Sequence, residues 1–137
     1  MTAARFVQGG VAALLACGGL AFAAAPDPAA VKHGEEVYGR CIACHAIEQN
    51  RTGPAHCGLF GRKAGTAPGY TSYSTAMKNS GIVWNEATLS KFLADPMNTV
   101  QGTTMTYLGV TDPKERADLV AYLKQATQAG KTCQLAK

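Results

Sequence analysis

The chain has 137 residues, room for one small domain, and its 13 basic against 9 acidic side chains leave a formal charge of +4. The basic residues are scattered, with no run of them and no platform of stacking aromatics, which excludes a nucleic-acid binder. Five cysteines are the count that asks for an explanation.

The first stretch is expected to leave the mature protein. Arg5 is the only charged side chain before Asp27, and Val11 to Ala25 is apolar or small. Ala21-Phe22-Ala23 supplies an A-x-A cleavage signal, so residues 1–23 read as a secretory signal peptide. Residues 24–137 are then one mature domain with a short C-terminal tail, carrying +3 once Arg5 is lost. The apolar segment is too short, and too broken by Gly18 and Gly19, to read as a membrane span. A competing parse takes Leu14-Leu15-Ala16-Cys17 as a lipoprotein box, which would anchor the chain through a lipidated Cys17. Export to the periplasm is the expectation, free or lipid-anchored.

The first helix is expected at Asp27-Pro28, a cap residue followed by proline at the first helical position. Its small and apolar face is Val31, Gly34 and Tyr38. It runs into Cys41-Ile42-Ala43-Cys44-His45, a C-x-x-C-H run, the attachment signature for c-type haem. Two cysteines three positions apart share one side of about one helical turn. Both thiols then reach one planar ring and can form thioethers with its vinyl groups, while His45 turns a nitrogen onto the iron. Two alternatives were weighed: a thioredoxin-type dithiol, which lacks its βαβ framework here, and half a zinc site completed by His56 and Cys57, which lacks a regular second knuckle. The run predicts one covalently attached haem c per chain.

A second, short helix is expected from Ser74 to Ser80, ended by Gly81. Asn85 caps a third, with Leu89, Phe92 and Leu93 at helical spacing and Pro96 as its stop. The fourth opens at Asp112-Pro113-Lys114-Glu115, a cap, an N1 proline and a capping-box-like acid. Leu119, Tyr122, Leu123 and Ala126 make its buried stripe, and Gly130 ends it. Between these lie two irregular stretches, Ala46–Tyr73 and Met97–Thr111. Loops this long are uncommon in a small domain unless something else supplies the core. A macrocycle does so, and the fold class that follows is all-α, about four helices and long loops wrapped around one haem. Haem consumes Cys41 and Cys44, and Cys17 leaves with the leader. Cys57 and Cys133 remain, an even pair in an oxidising compartment, expected as a disulfide with two free thiols as the alternative.

The order of these motifs closely resembles the class I c-type cytochromes, the mitochondrial cytochromes c and bacterial cytochromes c2, over about Gly34 to Thr127. Thr52-Gly53-Pro54, Gly58-Leu59-Phe60-Gly61-Arg62-Lys63, Ala67-Pro68-Gly69-Tyr70, Gly81-Ile82-Val83-Trp84, Gly102-Thr103-Thr104-Met105 and Asp118-Leu119-Val120-Ala121-Tyr122-Leu123-Lys124 carry it. The resemblance implies the cytochrome c fold, with Met105 as the second axial ligand opposite His45. It implies that the Pro54 carbonyl orients the haem histidine, and that Gly34 and Tyr122 mark the contact of first and last helices. Arg62, Tyr73 and Trp84 match groups around a haem propionate, and Thr103 a pocket hydroxyl beside the methionine. Phe92 stands where mitochondrial forms usually carry tyrosine and Met77 where they carry asparagine, which implies a drier pocket near Met105. Ala55-His56-Cys57 replaces the usual Asn-Leu-His.

Iron held by His45 and Met105 has no vacant site, which implies one-electron transfer and no enzyme activity. The expected electron route is the haem edge near Ala43, Cys44 and the Met105 loop. The expected partners are redox proteins: a quinol-oxidising complex, a terminal oxidase, a photosynthetic reaction centre or a periplasmic dehydrogenase, met by a monomer in transient docking at a membrane surface. Arg40, Arg51 and Lys32 are candidate docking cations, while Met97, Asn98 and Thr104 occupy positions often lysine in the family. The rivals are a haem enzyme or gas sensor with a displaceable methionine, and a membrane-tethered redox module.

Overall fold

Each of the five helices among the described residues begins at a capping side chain. The structure is a computed structural model that describes residues 25–128 and Cys133. The expected signal peptide, the Cys17 anchor and the Gly130 stop lie outside the described residues. The helices are α1 (Pro28–Tyr38), α2 (Thr75–Asn79), α3 (Glu86–Ala94), α4 (Pro96–Thr99) and α5 (Pro113–Ala126). Asp27, Ser74, Asn85, Asp95 and Asp112 accept from the first-turn amides of these helices in turn, satisfying donors that would otherwise lack partners. Strand pairing among the described residues is limited to one isolated bridge between Lys63 and Val83. No helix among them is long and apolar enough to cross a membrane.

Two details differ from the sequence expectation. Pro96 ends α3 and also opens α4, because Asp95 accepts from the Asn98 amide at 3.1 Å and proline suits the first helical position. Among the described residues there are therefore five helices where about four were expected. At α5, Asp112 accepts from the Glu115 amide at 2.8 Å. The Glu115 carboxylate does not fold back to complete a capping box, because it takes both arms of the Arg40 guanidinium, at 2.7 and 2.6 Å. The reciprocal box is instead at α3, where Asn85 and Thr88 exchange two bonds of 2.9 Å.

Helices α1 and α5 pack directly on each other. Gly34 makes this possible: a Cβ there would strike the Asp118 carbonyl oxygen and lie 2.8 Å from Tyr122 Cβ. The face that α5 buries is Asp118, Leu119, Val120 and Leu123, with Tyr122 and Ala126 only half-buried. Asp118 was not in the expected stripe. Its carboxylate is buried at the helix contact because His33 Nδ1 and Lys114 Nζ both reach Oδ2 at 2.6 Å. In the second long loop, Gly109 has φ +101°, and a Cβ there would overlap the Ala94 carbonyl, so glycine lets this strand of loop close over α3.

The Lys114 ammonium and His33 ring hold the Asp118 carboxyl below the usual carboxylate range. A depressed native value means the ionised group adds stability above its unfolded value, about 4, and that this contribution fades as the pH falls through the native one. Asp118→Asn is expected to be less stable than wild type near neutrality. It should also lose less further stability between about pH 5 and pH 2, read by denaturant unfolding at each pH.

Candidate functional site

The cysteine run takes its shape from backbone bonds that continue α1 past its end. Cys41 N donates to the Tyr38 carbonyl at 2.8 Å, and Cys44 N and His45 N both donate to the Cys41 carbonyl, at 3.1 and 2.9 Å. That turn puts the free thiols of Cys41 and Cys44 one turn apart with His45 immediately beyond. Two further bonds hold it from outside: Gly53 N to the Cys44 carbonyl at 2.7 Å, and Arg51 Nη1 to the Ile42 carbonyl at 2.7 Å. Burial pushes the Cys41 thiol up. A dithiol oxidoreductase needs the opposite, a depressed and reactive thiol, so the environment does not suit that chemistry.

His45 is buried, and burial pulls its imidazole down from the ordinary range. Its Nδ1 lies 2.9 Å from the Pro54 carbonyl, which accepts a hydrogen bond from the N–H there and leaves Nε2 with its lone pair free. A Cβ on Gly53 would sit 2.6 Å from His45 Nδ1 and 2.7 Å from Nε2, so the glycine is what lets backbone lie against this ring.

In the loop that carries Met105, the methionine amide donates to Thr103 Oγ1 at 3.2 Å. His45 and this loop both border one cavity of about 420 Å³. Cys41, Cys44, His45 and Met105 all line it, together with Pro54, Arg62, Tyr73, Trp84, Phe92 and Thr103. All of the expected haem-pocket residues thus meet at one cavity, although they come from every part of the described chain. The donor set fits a covalently held haem: two free thiols, a neutral imidazole with one nitrogen to spare, a thioether and a mainly apolar wall. Met77 and Phe92 bury against that wall, and Phe92 packs on Trp84 with ring centroids 5.2 Å apart.

Arg62 and Tyr73 also have protein partners. Arg62 donates to the Cys57 carbonyl at 2.6 Å and the Ala55 carbonyl at 3.1 Å, while the Tyr73 hydroxyl accepts from the Ala67 amide at 3.1 Å. Arg62 therefore clamps the loop that follows Pro54, besides facing the cavity. Cys57 and Cys133 lie away from the cavity and form a disulfide, with Cα atoms 5.4 Å apart. That pairing removes Cys57 from any zinc set. No group of three or more metal-ligating side chains gathers elsewhere among the described residues.

Sequence reasoning gave no role at the site to His56. It lines the cavity, stacks on His45 and lies 3.1 Å from the Tyr38 hydroxyl. Burial first, and then the neighbouring His45 and Arg62, push its imidazole down to about 3. Its nearness to Pro54 in sequence was the available signal, because residues next to an orienting carbonyl share the ligand's surroundings. Of the candidate docking cations, Arg40 is paired with Glu115, Arg51 is exposed and donates to the Ile42 carbonyl while keeping its charge, and Lys32 is exposed.

A family model described as Cytochrome c matches residues 31–127. Cytochrome c of Sesamum indicum is 46% identical over 104 residues, covering 73% of this chain and 93% of that protein. Cytochrome c2 of Rhodomicrobium vannielii is 46% identical over 110 residues, covering 78% and 83%. Among solved structures, cytochrome cH from Methylobacterium extorquens superposes with a TM-score of 0.67 at 45% identity, over 69% of this chain and 97% of that one.

The disulfide closes a 76-residue span and ties the tail to the segment beside the cavity. Replacing Cys57 and Cys133 together by serine is expected to cost about 2–4 kcal/mol of stability in denaturant unfolding while the visible spectrum of the holoprotein is retained.

Proposed function

The chain belongs to the cytochrome c family, and on that premise we propose that it is an exported, diffusible one-electron carrier of the periplasm, holding its haem iron between His45 and Met105. Members of this family carry covalently attached haem c and transfer electrons. The observation that supports the finer reading is the single cavity that gathers Cys41, Cys44, His45 and Met105. Bound there, haem supplies a reversible ferric–ferrous couple.

The residues divide the work. Cys41 and Cys44 would fasten the group through thioether bonds, and the backbone bonds of their turn fix where those sulfurs stand. His45 would ligate through Nε2, its Nδ1 proton held by Pro54. Met105 would ligate from the facing loop, with Thr103 bracing its amide. With His45 and Met105 both given over to holding the group, no position would be left for a substrate, which is why the reading is a carrier and not an enzyme. The apolar side chains of Leu89, Phe92 and Leu93 in the lining would keep water from the group, and together with a thioether ligand they would favour its reduced state. Ala43, Cys44 and Thr104 are exposed around the thioether side, giving a short route for electrons to a docked partner. That partner would be a quinol-oxidising complex, a terminal oxidase, a photosynthetic reaction centre or a periplasmic dehydrogenase, met by a monomer.

Purified from a host that matures c-type cytochromes, the protein is expected to outweigh its polypeptide by one haem and to show a ferric sulfur-to-iron charge-transfer band. Met105→Ala should lose that band, bind cyanide readily, and drop in reduction potential by a sizeable part of the roughly 0.8 V range that axial ligation spans. A wild-type protein without the band would end the His/Met reading.

The neutralised Arg40 and the uncharged Met97, Asn98 and Thr104 leave little net cation at the edge. Association with a purified redox partner should therefore slow less than about tenfold from low salt to physiological ionic strength, in stopped-flow mixing. A steeper fall would restore a cationic docking ring.

A further inference from the structure

The wall of the cavity behind His45 holds a second histidine that the ligand set does not use. The His56 ring stacks on the His45 ring with centroids 4.5 Å apart and planes inclined by 24°. Tyr38 also meets His56, the two rings inclined at 63°. The Tyr38 oxygen is 3.1 Å from His56 Nδ1, a hydrogen bond that pins the ring whichever of the two groups carries the proton. Tyr38 in turn sits in α1, buried against α5 through Tyr122, with ring centroids 5.4 Å apart.

The backbone of His56 is held as firmly as its ring. Arg62 donates to the carbonyls on either side of it, Ala55 and Cys57. Its own amide donates to the Ala46 and Ile47 carbonyls, each at 3.1 Å. Cys57, next in sequence, carries the disulfide.

His45 is held at more than one place. The Pro54 carbonyl pins Nδ1, and the Gly53 backbone lies over the ring near Cε1, where an added Cβ would be 2.3 Å from that atom. The hydrogen bond alone leaves the imidazole plane free to rock about the Nδ1–carbonyl direction. Groups lying on its faces oppose that, and His56 is the side chain that does so. We propose that His56 is a positioning residue that sets the angle of the His45 imidazole plane in the cavity, with the Tyr38 hydroxyl as its anchor. The proposal rests on the reading of His45 as an iron ligand. The plane of a ligating imidazole selects which iron d orbitals it overlaps, so the fixed angle reaches the electronic asymmetry of the ferric state. Partners beyond the ligands commonly tune a metal through such orientation.

The test is proton NMR of the ferric holoprotein at neutral pH, where the order and spread of the hyperfine-shifted haem methyl resonances report ligand-plane angles. It compares wild type with His56→Leu, His56→Phe and Tyr38→Phe, each with its denaturant midpoint. His56→Leu removes the ring and is expected to change the order or spread. His56→Phe keeps a ring and should remain nearer wild type, and Tyr38→Phe should give a smaller change in the direction of His56→Leu. A merely structural role would lower the midpoint and leave the methyl pattern alone, so superposable patterns in His56→Leu and Tyr38→Phe would overturn the proposal. If His56→Leu does not mature to holoprotein, Tyr38→Phe decides, since it keeps every ring and loses one oxygen. Failure of the underlying reading looks different: a wild-type protein that matures without haem, or whose ferric NMR spectrum shows no iron-bound histidine ring, removes the His45 assignment before any variant is compared, and the proposal with it.

Discussion

One turn of backbone must present two thiols and an imidazole to the same cavity, and the rest of the molecule answers to that demand. The turn satisfies its own amides internally, through the carbonyls of Tyr38 and Cys41. This frees the side chains but leaves the turn short and without a core of its own. Its rigidity is therefore borrowed. Gly53 and Arg51 bind it from the following loop, and Arg40 ties its start to the first turn of α5. Because α1 and α5 meet through Gly34 with no side chain between them, the position of the turn is inherited from that contact. A helix contact remote from the chemistry thus sets where the sulfurs stand.

The loops are long because their task is to line a cavity, not to connect packed layers. A segment that follows the edge of a flat ligand has little use for repeating hydrogen bonds. It satisfies its polar backbone singly instead, as Gly61 N does with the Trp84 carbonyl and Val110 N with the Leu93 carbonyl. The side chains it turns inward then complete the core. This is why Trp84, Phe92, Leu89 and Leu123, from three different elements, count both as core and as cavity wall. Stability and cofactor binding are therefore coupled, since an apolar wall facing bulk water would weaken the packing behind it.

How much of this was legible in the sequence depended on the range of the interaction. The caps at Asp27, Ser74, Asn85 and Asp112 could be read because a cap and its amide lie within three residues. The short helix α4 escaped because Pro96 is both a stop for one helix and a start for another, and only the Asp95 side chain decides between them. The lining residues were legible through the resemblance alone, since nothing local connects Arg62, Trp84 and Met105. Three features are settled by partners that sequence neighbours do not reveal. Asp118 looks like a solvated charge until His33 arrives from a separate helix to join Lys114, Glu115 looks like a capping acid until Arg40 claims it, and His56 looks like a loop residue until Tyr38 and His45 close around it. In each case a side chain distant in sequence completes the environment.

An electron carrier gains speed by changing little between its two states, and the two walls of this cavity meet that requirement unequally. On the His45 side the ring is bounded by a carbonyl, a glycine and a stacked imidazole, and the segment behind it is clamped by Arg62 and a disulfide. On the Met105 side the amide donates to Thr103 Oγ1 and the side chain packs on the edge of the core, in a loop where Thr104, Thr106 and Leu108 are exposed. Motion permitted by the scaffold should then concentrate in the Met105 loop, where exposed residues alternate with half-buried ones. On the proposed reading, a partner that docked at that loop would press on it, while the carbonyl, the glycine and the stacked imidazole around the His45 ring held that side in place.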